Sequence, residues 1–337
     1  MRRGERSGLF TIVAVHSTAL GPALGGCRML HYGDSRRAIR DALRLSRAMT
    51  FKSAVAGLPL GGGKGVIMAP GPAGPARRSR RADALRDFGD TVAQLGGSYI
   101  TAKDVGTSAR DMEIIATTTR HVTGLSRRRG GSGDPSPWTA LGVQAAIGVC
   151  CERVFGSSSL EGRTIAVAGL GHVGARVAAA CARSGATLLV TDIDAAKRGL
   201  ARDLGARWIA PDGALEAAVD VLVPCALGGG LDHETASRLQ APVVAGAANN
   251  QLADDDVAGL LAHRGVLWAP DFVVNAGGII NISVELEPEG YDPRRARTRA
   301  RGIADTLRRI LDDADATAAT PLEAAMALAR ARLAQAG

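Results

Sequence analysis

Two lysines, Lys52 and Lys64, stand twelve residues apart, and the second follows three glycines in the run Gly61-Gly62-Gly63-Lys64-Gly65. Backbone without side chains lets a substrate come close to an amine, and a second cation nearby lowers an ammonium's hold on its proton. Those are the needs of a general base. A phosphate-cradling P-loop fails on the same residues: Leu58 sits where its first glycine belongs and Gly65 where a metal-binding hydroxyl is required. The plainer alternative, a solvated lysine in a flexible surface loop, stays open at this level.

A second glycine group has a more defined setting. Thr164–Ala168 reads as a buried strand, followed by Gly169-Leu170-Gly171-His172-Val173-Gly174 and a helix from Ala175 to Ser184. The next strand starts at Thr187, and Asp192 lies 23 residues past Gly169. This is the dinucleotide-binding order: one glycine for the tight turn, one for close approach of the pyrophosphate, one for helix–strand packing. The helix N-terminus then receives the phosphates. An acid at Asp192 suits two ribose hydroxyls and repels a 2′-phosphate, so NAD is expected over NADP.

These groups need a scaffold, and the 337-residue chain, 46% apolar, is long enough for two domains. Leu9 to Val15 reads as a strand. Arg36 to Met49 reads as a helix, with an apolar face of Ala38, Ile39, Ala42, Leu43 and Leu45. Residues 56–65 read as a loop before the strand Val66-Ile67-Met68. A helix over Asp83–Leu95, a strand over Tyr99–Ala102 and a helix over Ala109–Thr118 follow, and Ser126–Pro137 suits a hinge. Beyond a helical Thr139–Phe155, strands over Thr164–Ala168, Thr187–Thr191, Trp208–Ala210, Val221–Val223, Val243–Ala245 and Val266–Trp268 alternate with helices, the pattern of a parallel sheet covered on both faces. The last stretch, rich in Ala and Arg, reads as entirely helical.

Net charge is +8, from 41 Lys and Arg against 33 Asp and Glu. Nucleic acid is not the expected partner, because no aromatic lies near the arginine runs Arg77-Arg78-Ser79-Arg80-Arg81, Arg127-Arg128-Arg129 and Arg294-Arg295. These read as solvated loops. No apolar run reaches the roughly 18 residues of a membrane span, and the N-terminus makes a poor secretion signal. Cys27, Cys150, Cys151, Cys181 and Cys225 are an odd set with no Cys-x-x-Cys pair, expected to be buried thiols in a reducing cytoplasm, with no metal site.

Six segments together resemble the amino-acid dehydrogenase family that includes the leucine, valine, phenylalanine and glutamate enzymes. They are Leu20–Gly26, Met49-Thr50-Phe51-Lys52 through Gly61–Lys64, Thr101-Ala102-Lys103-Asp104-Val105-Gly106-Thr107, Pro224-Cys225-Ala226-Leu227-Gly228-Gly229, Gly246–Leu252, and Ala269–Asp271 through Asn275–Gly278. The resemblance runs in order over nearly the whole chain from about Ile12, although the chain starts later than such relatives usually do. It implies an α/β fold of two domains with the active site in the cleft between them. Residues 1–130 would form a substrate and oligomerisation domain, 138–314 a Rossmann-type doubly wound NAD domain, and a C-terminal helix of about 315–337 would pack back onto the first. A homo-oligomer is expected.

The resemblance also implies roles. Lys64, its pKa lowered by enclosure and by Lys52, would activate water, and Asp104 would shuttle protons to the amine. Lys52 would hold the substrate carboxylate beside the backbone of Gly25 and Gly26. Asn250 and Asn275 would orient the amino group and the nicotinamide ring, and Thr139 would meet the carboxamide. Cofactor contacts would extend from Gly169, Gly171, His172, Val173, Gly174 and Asp192 to Cys225 and Ala226. Leu24, Met49, Ala102, Ile279 and Ile282 would line the side-chain pocket. Glutamate-specific relatives place a lysine at the Leu24 position, and burying a second carboxylate among aliphatic groups costs several kcal/mol. The bulky, branched wall suits Leu, Val or Ile and disfavours phenylalanine. Lys103, beside Asp104, stands where the family usually has an acidic or small residue.

Overall fold

The computed structural model describes residues 1–71, 79–226 and 228–336. The chain forms two compact units, Met1–Pro135 with Asn281–Pro293 and Ala329–Gly337, and Ser136–Ile280 with Arg294–Leu328. Asn281–Pro293, drawn with the second domain from the sequence, thus clusters with the first.

The first unit is built on five strands: β1 (Arg2–Arg3), β2 (Phe10–Ser17), β3 (Ala23–Leu30), β4 (Gly61–Met68) and β5 (Tyr99–Lys103). They stand in the order β1-β2-β4-β3-β5. β4 runs antiparallel to β2 and parallel to β3, and β5 is parallel to β3. The glycine run is therefore not a loop. It is the start of a buried strand lying between two others. Three glycines in a row argue against a strand on propensity, but packing overrides it. Helix α1 (Ser35–Val55) turns a stripe of small buried residues, Ala38, Ala42, Ser46, Thr50 and Ser53, toward the sheet. A Cβ on Gly62 would lie 2.1 Å from the Thr50 nitrogen. Ile39 and Leu43, read from sequence as part of the apolar face, are exposed. The helix also runs further than expected, to Val55, where Arg332 donates to the carbonyls of Ala54 and Val55.

The opposite face packs on helices α2 (Arg81–Ala93) and α3 (Ala109–Ile115), with Phe88, Tyr99, Met112 and Ile115 fully buried. The N-terminal segment is moored here. Ser7 donates from its nitrogen (2.8 Å) and hydroxyl (2.6 Å), and Arg6 donates from backbone and side chain, all to the buried carboxylate of Asp87. Burial pushes that carboxyl up, but these donors outweigh it and hold it below its usual value. The stability it contributes is present above the carboxyl's unfolded pKa and is lost as pH falls through the lower folded one. Asp87→Asn should cost about 1–3 kcal/mol near neutrality, with a Tm deficit that narrows as pH drops below about 4. A deficit constant from pH 7 to 3 would contradict this.

The second unit holds β6 (Thr164–Ala168), β7 (Thr187–Thr191), β8 (Arg207–Trp208), β9 (Val221–Pro224), β10 (Val243–Val244) and β11 (Leu267–Trp268). All pair in parallel, in the order β11-β10-β9-β6-β7-β8. That is the 3-2-1-4-5-6 doubly wound order, with its reversal between β6 and β9. Helix α4 (Ser136–Phe155) precedes β6, and α5 (Gly174–Arg183) connects β6 to β7. The helical C-terminus is broken into Pro293–Arg301, Ile303–Thr317 and Pro321–Ala334, with Ala318 in a left-handed turn.

The arginine runs are not all solvated loops. Arg294 and Arg295 lie in a helix, Arg127 stacks on Tyr291, and Arg81 pairs with Asp111 at 2.6 Å. Arg77 and Arg78 lie outside the described residues. All five cysteines are free. No helix among the described residues is long and apolar enough to cross a membrane.

Candidate active site

Strand parity places the first unit's candidates. Leu24, Gly26 and Arg28 alternate on one face of β3, and that register sets Gly26 beside Ala102 of β5. Lys64 follows Gly62 on the same face of β4, the face that α1 covers, and Met49 and Lys52 sit half-buried near the end of that helix. Leu24, Lys64 and Ala102 are buried, and Ile282 is buried in the returning segment of this unit.

Asp104 leaves β5 into a fixed turn. Its nitrogen donates to Thr107 Oγ1 (2.9 Å), whose hydroxyl reaches the Cys27 carbonyl (2.8 Å), while Val105 accepts from the Met29 nitrogen (3.0 Å). A Cβ on Gly26 would lie 2.7 Å from the Asp104 Cβ, so glycine there makes room for the acid. Lys64 Nζ donates to Asp104 Oδ2. The same oxygen accepts from Arg28 Nε at 3.2 Å. Burial pushes the Asp104 carboxyl up, but Lys64 and then Arg28 overcome it and hold the group below its usual range. The result is a largely enclosed lysine–aspartate pair on the sheet, placed to exchange protons with a molecule beside it.

Arg28 was missed in the sequence, although it lies two residues past Gly26 and so shares its face once β3 is known to be a strand. Lys103 points to the opposite face and pairs with Asp134 at 3.5 Å, away from Asp104.

In the second unit, the glycine turn sits at the carboxyl ends of β6 and β9, the place where doubly wound sheets take ligands. Gly169 has φ +105°, which disfavours any side chain. A Cβ on Gly174 would strike the Gly169 carbonyl at 1.9 Å, whereas one on Gly171 would meet nothing within 4 Å. That open space adjoins the N-terminus of α5, which no side chain caps. His172 is exposed and Val173 half-buried in the same turn. Asp192 at the end of β7 accepts from the Leu170 nitrogen at 2.6 Å and from the Asp194 nitrogen at 2.9 Å, so its carboxylate is locked against the turn.

An apolar cavity of about 280 Å³ opens beside it, lined by Gly169, Asp192, Ile193, Ala214, Ala226 and Leu231 among others. Ile193 is 93% exposed, an apolar surface suited to a flat ring. Asn275 is buried and donates to Asn249 Oδ1 (2.9 Å) and the Ala247 carbonyl (3.2 Å), while its own Oδ1 has no partner, leaving an acceptor for an amide. Cys225 and Thr139 are half-buried and Ile279 is buried. Asn250 is exposed with φ +51°, a conformation asparagine tolerates. Leu227 lies outside the described residues. Open space at a helix N-terminus that no side chain caps, a locked acid and an orphaned buried amide oxygen fit a dinucleotide.

A doubly wound unit with a glycine turn that fits a nucleotide, together with a unit carrying a buried lysine–aspartate pair, has the parts of a nucleotide-dependent oxidoreductase. The Glu/Leu/Phe/Val dehydrogenase dimerisation domain matches residues 1–121, and the Glutamate/Leucine/Phenylalanine/Valine dehydrogenase domain matches residues 190–337. Leucine dehydrogenase of Bacillus subtilis is 45% identical over 311 residues, 91% of this chain and 83% of that protein. Valine dehydrogenase of Streptomyces virginiae is 42% identical over 334 residues, 98% and 91%. The crystal structure of L-tryptophan dehydrogenase from Nostoc punctiforme superimposes with a TM-score of 0.84 at 38% identity, covering 98% of this chain and 94% of that one. The chain belongs to the Glu/Leu/Phe/Val dehydrogenase family, whose enzymes are pyridine-nucleotide-dependent amino-acid dehydrogenases.

Proposed function

We propose that the protein oxidatively deaminates a branched-chain aliphatic L-amino acid to its 2-oxo acid and ammonia, reversibly and with NAD. The observation that carries this reading is the enclosed Lys64–Asp104 pair on the α1 face of the first unit's sheet. Lys52 holds the substrate carboxylate beside the backbone of Gly25 and Gly26, leaving the amino group to Asp104. The Asp104 carboxylate takes a proton from the substrate ammonium, which frees the nitrogen lone pair to form the imine as hydride leaves Cα. The Gly169–Gly174 turn, Asp192, Asn275 and Thr139 would hold NAD, which would supply the acceptor for that hydride. The Lys64 amine then takes a proton from water as the water attacks the imino carbon. Asp104 returns its proton to the amine of the resulting carbinolamine, and as the C–N bond breaks and ammonia leaves, the hydroxyl proton passes to solvent and the C=O of the 2-oxo acid forms.

Leu24, Met49, Ala102 and Ile282 of the first unit offer aliphatic groups to the substrate side chain, and none of them is a cation for a second carboxylate. The leucine and valine relatives support this specificity. The tryptophan enzyme marks an aromatic substrate as the rival. The matched dimerisation domain supports a homo-oligomer, and the free cysteines support a reducing cytoplasmic setting.

NADH formation with Leu, Val, Ile, Phe, Trp and Glu tests the reading. A branched-chain substrate should lead Phe and Trp in kcat/KM by about tenfold or more, a span that differences of a few methylenes support. NAD should be preferred over NADP. Phe or Trp ahead by that margin would overturn the pocket assignment, and no turnover with any of them would leave a non-catalytic relative.

A further inference from the structure

Asp104 is held from two sides. Lys64 reaches its Oδ2 from β4, and Arg28 reaches the same oxygen from β3. The Arg28 fork then turns outward, and its Nη1 donates to Asp41 Oδ2 on α1 at 2.8 Å. Asp41 is itself fixed, accepting from Tyr32 Oη at 2.7 Å and from Arg44 Nη2 at 3.1 Å. Side-chain exposures of 20% for Arg28, 16% for Asp41 and 22% for Asp104 keep the chain of charges largely out of water. Only a guanidinium offers separate donors in a planar fork that can serve two carboxylates at once. We infer that Arg28, anchored by Asp41, is a positioning residue that fixes the Asp104 carboxylate against Lys64 and keeps it from rotating away during proton transfer.

Asp104 has few other charged neighbours. The Cys27 thiol on β3 is kept protonated by burial. Lys103 on β5 is engaged by Asp134 on the other face of the strand. With Lys64 supplying one cation, Arg28 supplies the other, and its loss leaves the carboxylate with a single donor side chain.

Resting on the acid–base reading of Lys64 and Asp104, this role is tested with Arg28→Met, Arg28→Lys and Asp41→Asn in the full chain. Leucine oxidation is followed together with a carboxyl ¹³C titration of Asp104, assigned through Asp104→Asn. Arg28→Met should lower kcat by about tenfold with KM for leucine within about threefold of wild type, the signature of an interaction needed in the transition state. Its Asp104 midpoint should rise by about half a unit or more as a neighbouring cation is lost. Arg28→Lys should keep the midpoint near wild type and restore part of kcat, and Asp41→Asn should lower kcat by about threefold without raising KM. A folded Arg28→Met with wild-type kcat overturns the role. So do equal losses in the Met and Lys variants with an unmoved titration, which would mark a merely structural arginine. If Arg28→Met does not fold, unchanged kcat in Asp41→Asn overturns it. A wild type inactive on leucine would sink the proposed reaction instead, and the titration would still judge Arg28.

Discussion

Lys64→Ala should lower kcat for leucine by about 10³-fold or more, at the upper end of what a general base contributes. The residue is only 5% exposed and its amine lies against Asp104, so bulk solvent is largely kept from taking its place. Removing one member of a buried pair is often costly to folding, because the other charge is left alone. Here Arg28 remains on the same Asp104 oxygen, so the variant should fold with a moderate loss of about 1–3 kcal/mol. Lys64→Arg separates base from charge. A guanidinium preserves a donor toward Asp104 but does not give up its proton. It should therefore be as inactive as the alanine variant while unfolding nearer to wild type. Either variant retaining a tenth of wild-type kcat would end the case for Lys64 as the base.

The second large effect is on folding. Gly62→Ala should destabilise the first unit by about 3 kcal/mol or more, the cost of forcing volume into a site where backbone must move. Its Cβ would lie 2.1 Å from the Thr50 nitrogen, 2.2 Å from the Thr50 hydroxyl and 2.5 Å from the Thr50 Cα. No rotamer change relieves contact with backbone, so α1 would have to lift from β4. That shift would also displace Met49 and Lys52, which ride on the same helix. Gly171→Ala is the matched control. Open space surrounds its added Cβ, so thermal unfolding should be unchanged while KM for NAD rises. Equal Tm for Gly62→Ala and wild type would show that the strand tolerates the side chain and would undo the packing account.

The glycine turn of the second unit could be read directly because its parts are local. Strand, glycines, helix and acid fall within Thr164–Asp192, and each glycine's duty follows from its own neighbours. The first unit was harder. Residues 61–65 resemble a loop by composition, yet they form the strand onto which α1 packs. A loop and a glycine strand share a composition, and only the partner helix distinguishes them: its small residues Ala38, Ala42, Ser46 and Thr50 allow close approach. Ile39 and Leu43 misled for a related reason. Helical spacing identifies an apolar stripe but does not reveal that the sheet demands small side chains there.

Local order along the chain was enough to specify the doubly wound unit, its glycine turn and the residue types at Lys52, Lys64 and Asp104. What needed three dimensions was the company these groups keep. Lys64 meets an acid 40 residues away, and Arg28 bridges residues 76 and 13 positions from itself. Charge interactions depend on distance in space and on exclusion of water. The register of β3 between β4 and β5 sets that distance, and the cover of α1 helps exclude the water. Neither quantity is written in the spacing of residues along the chain.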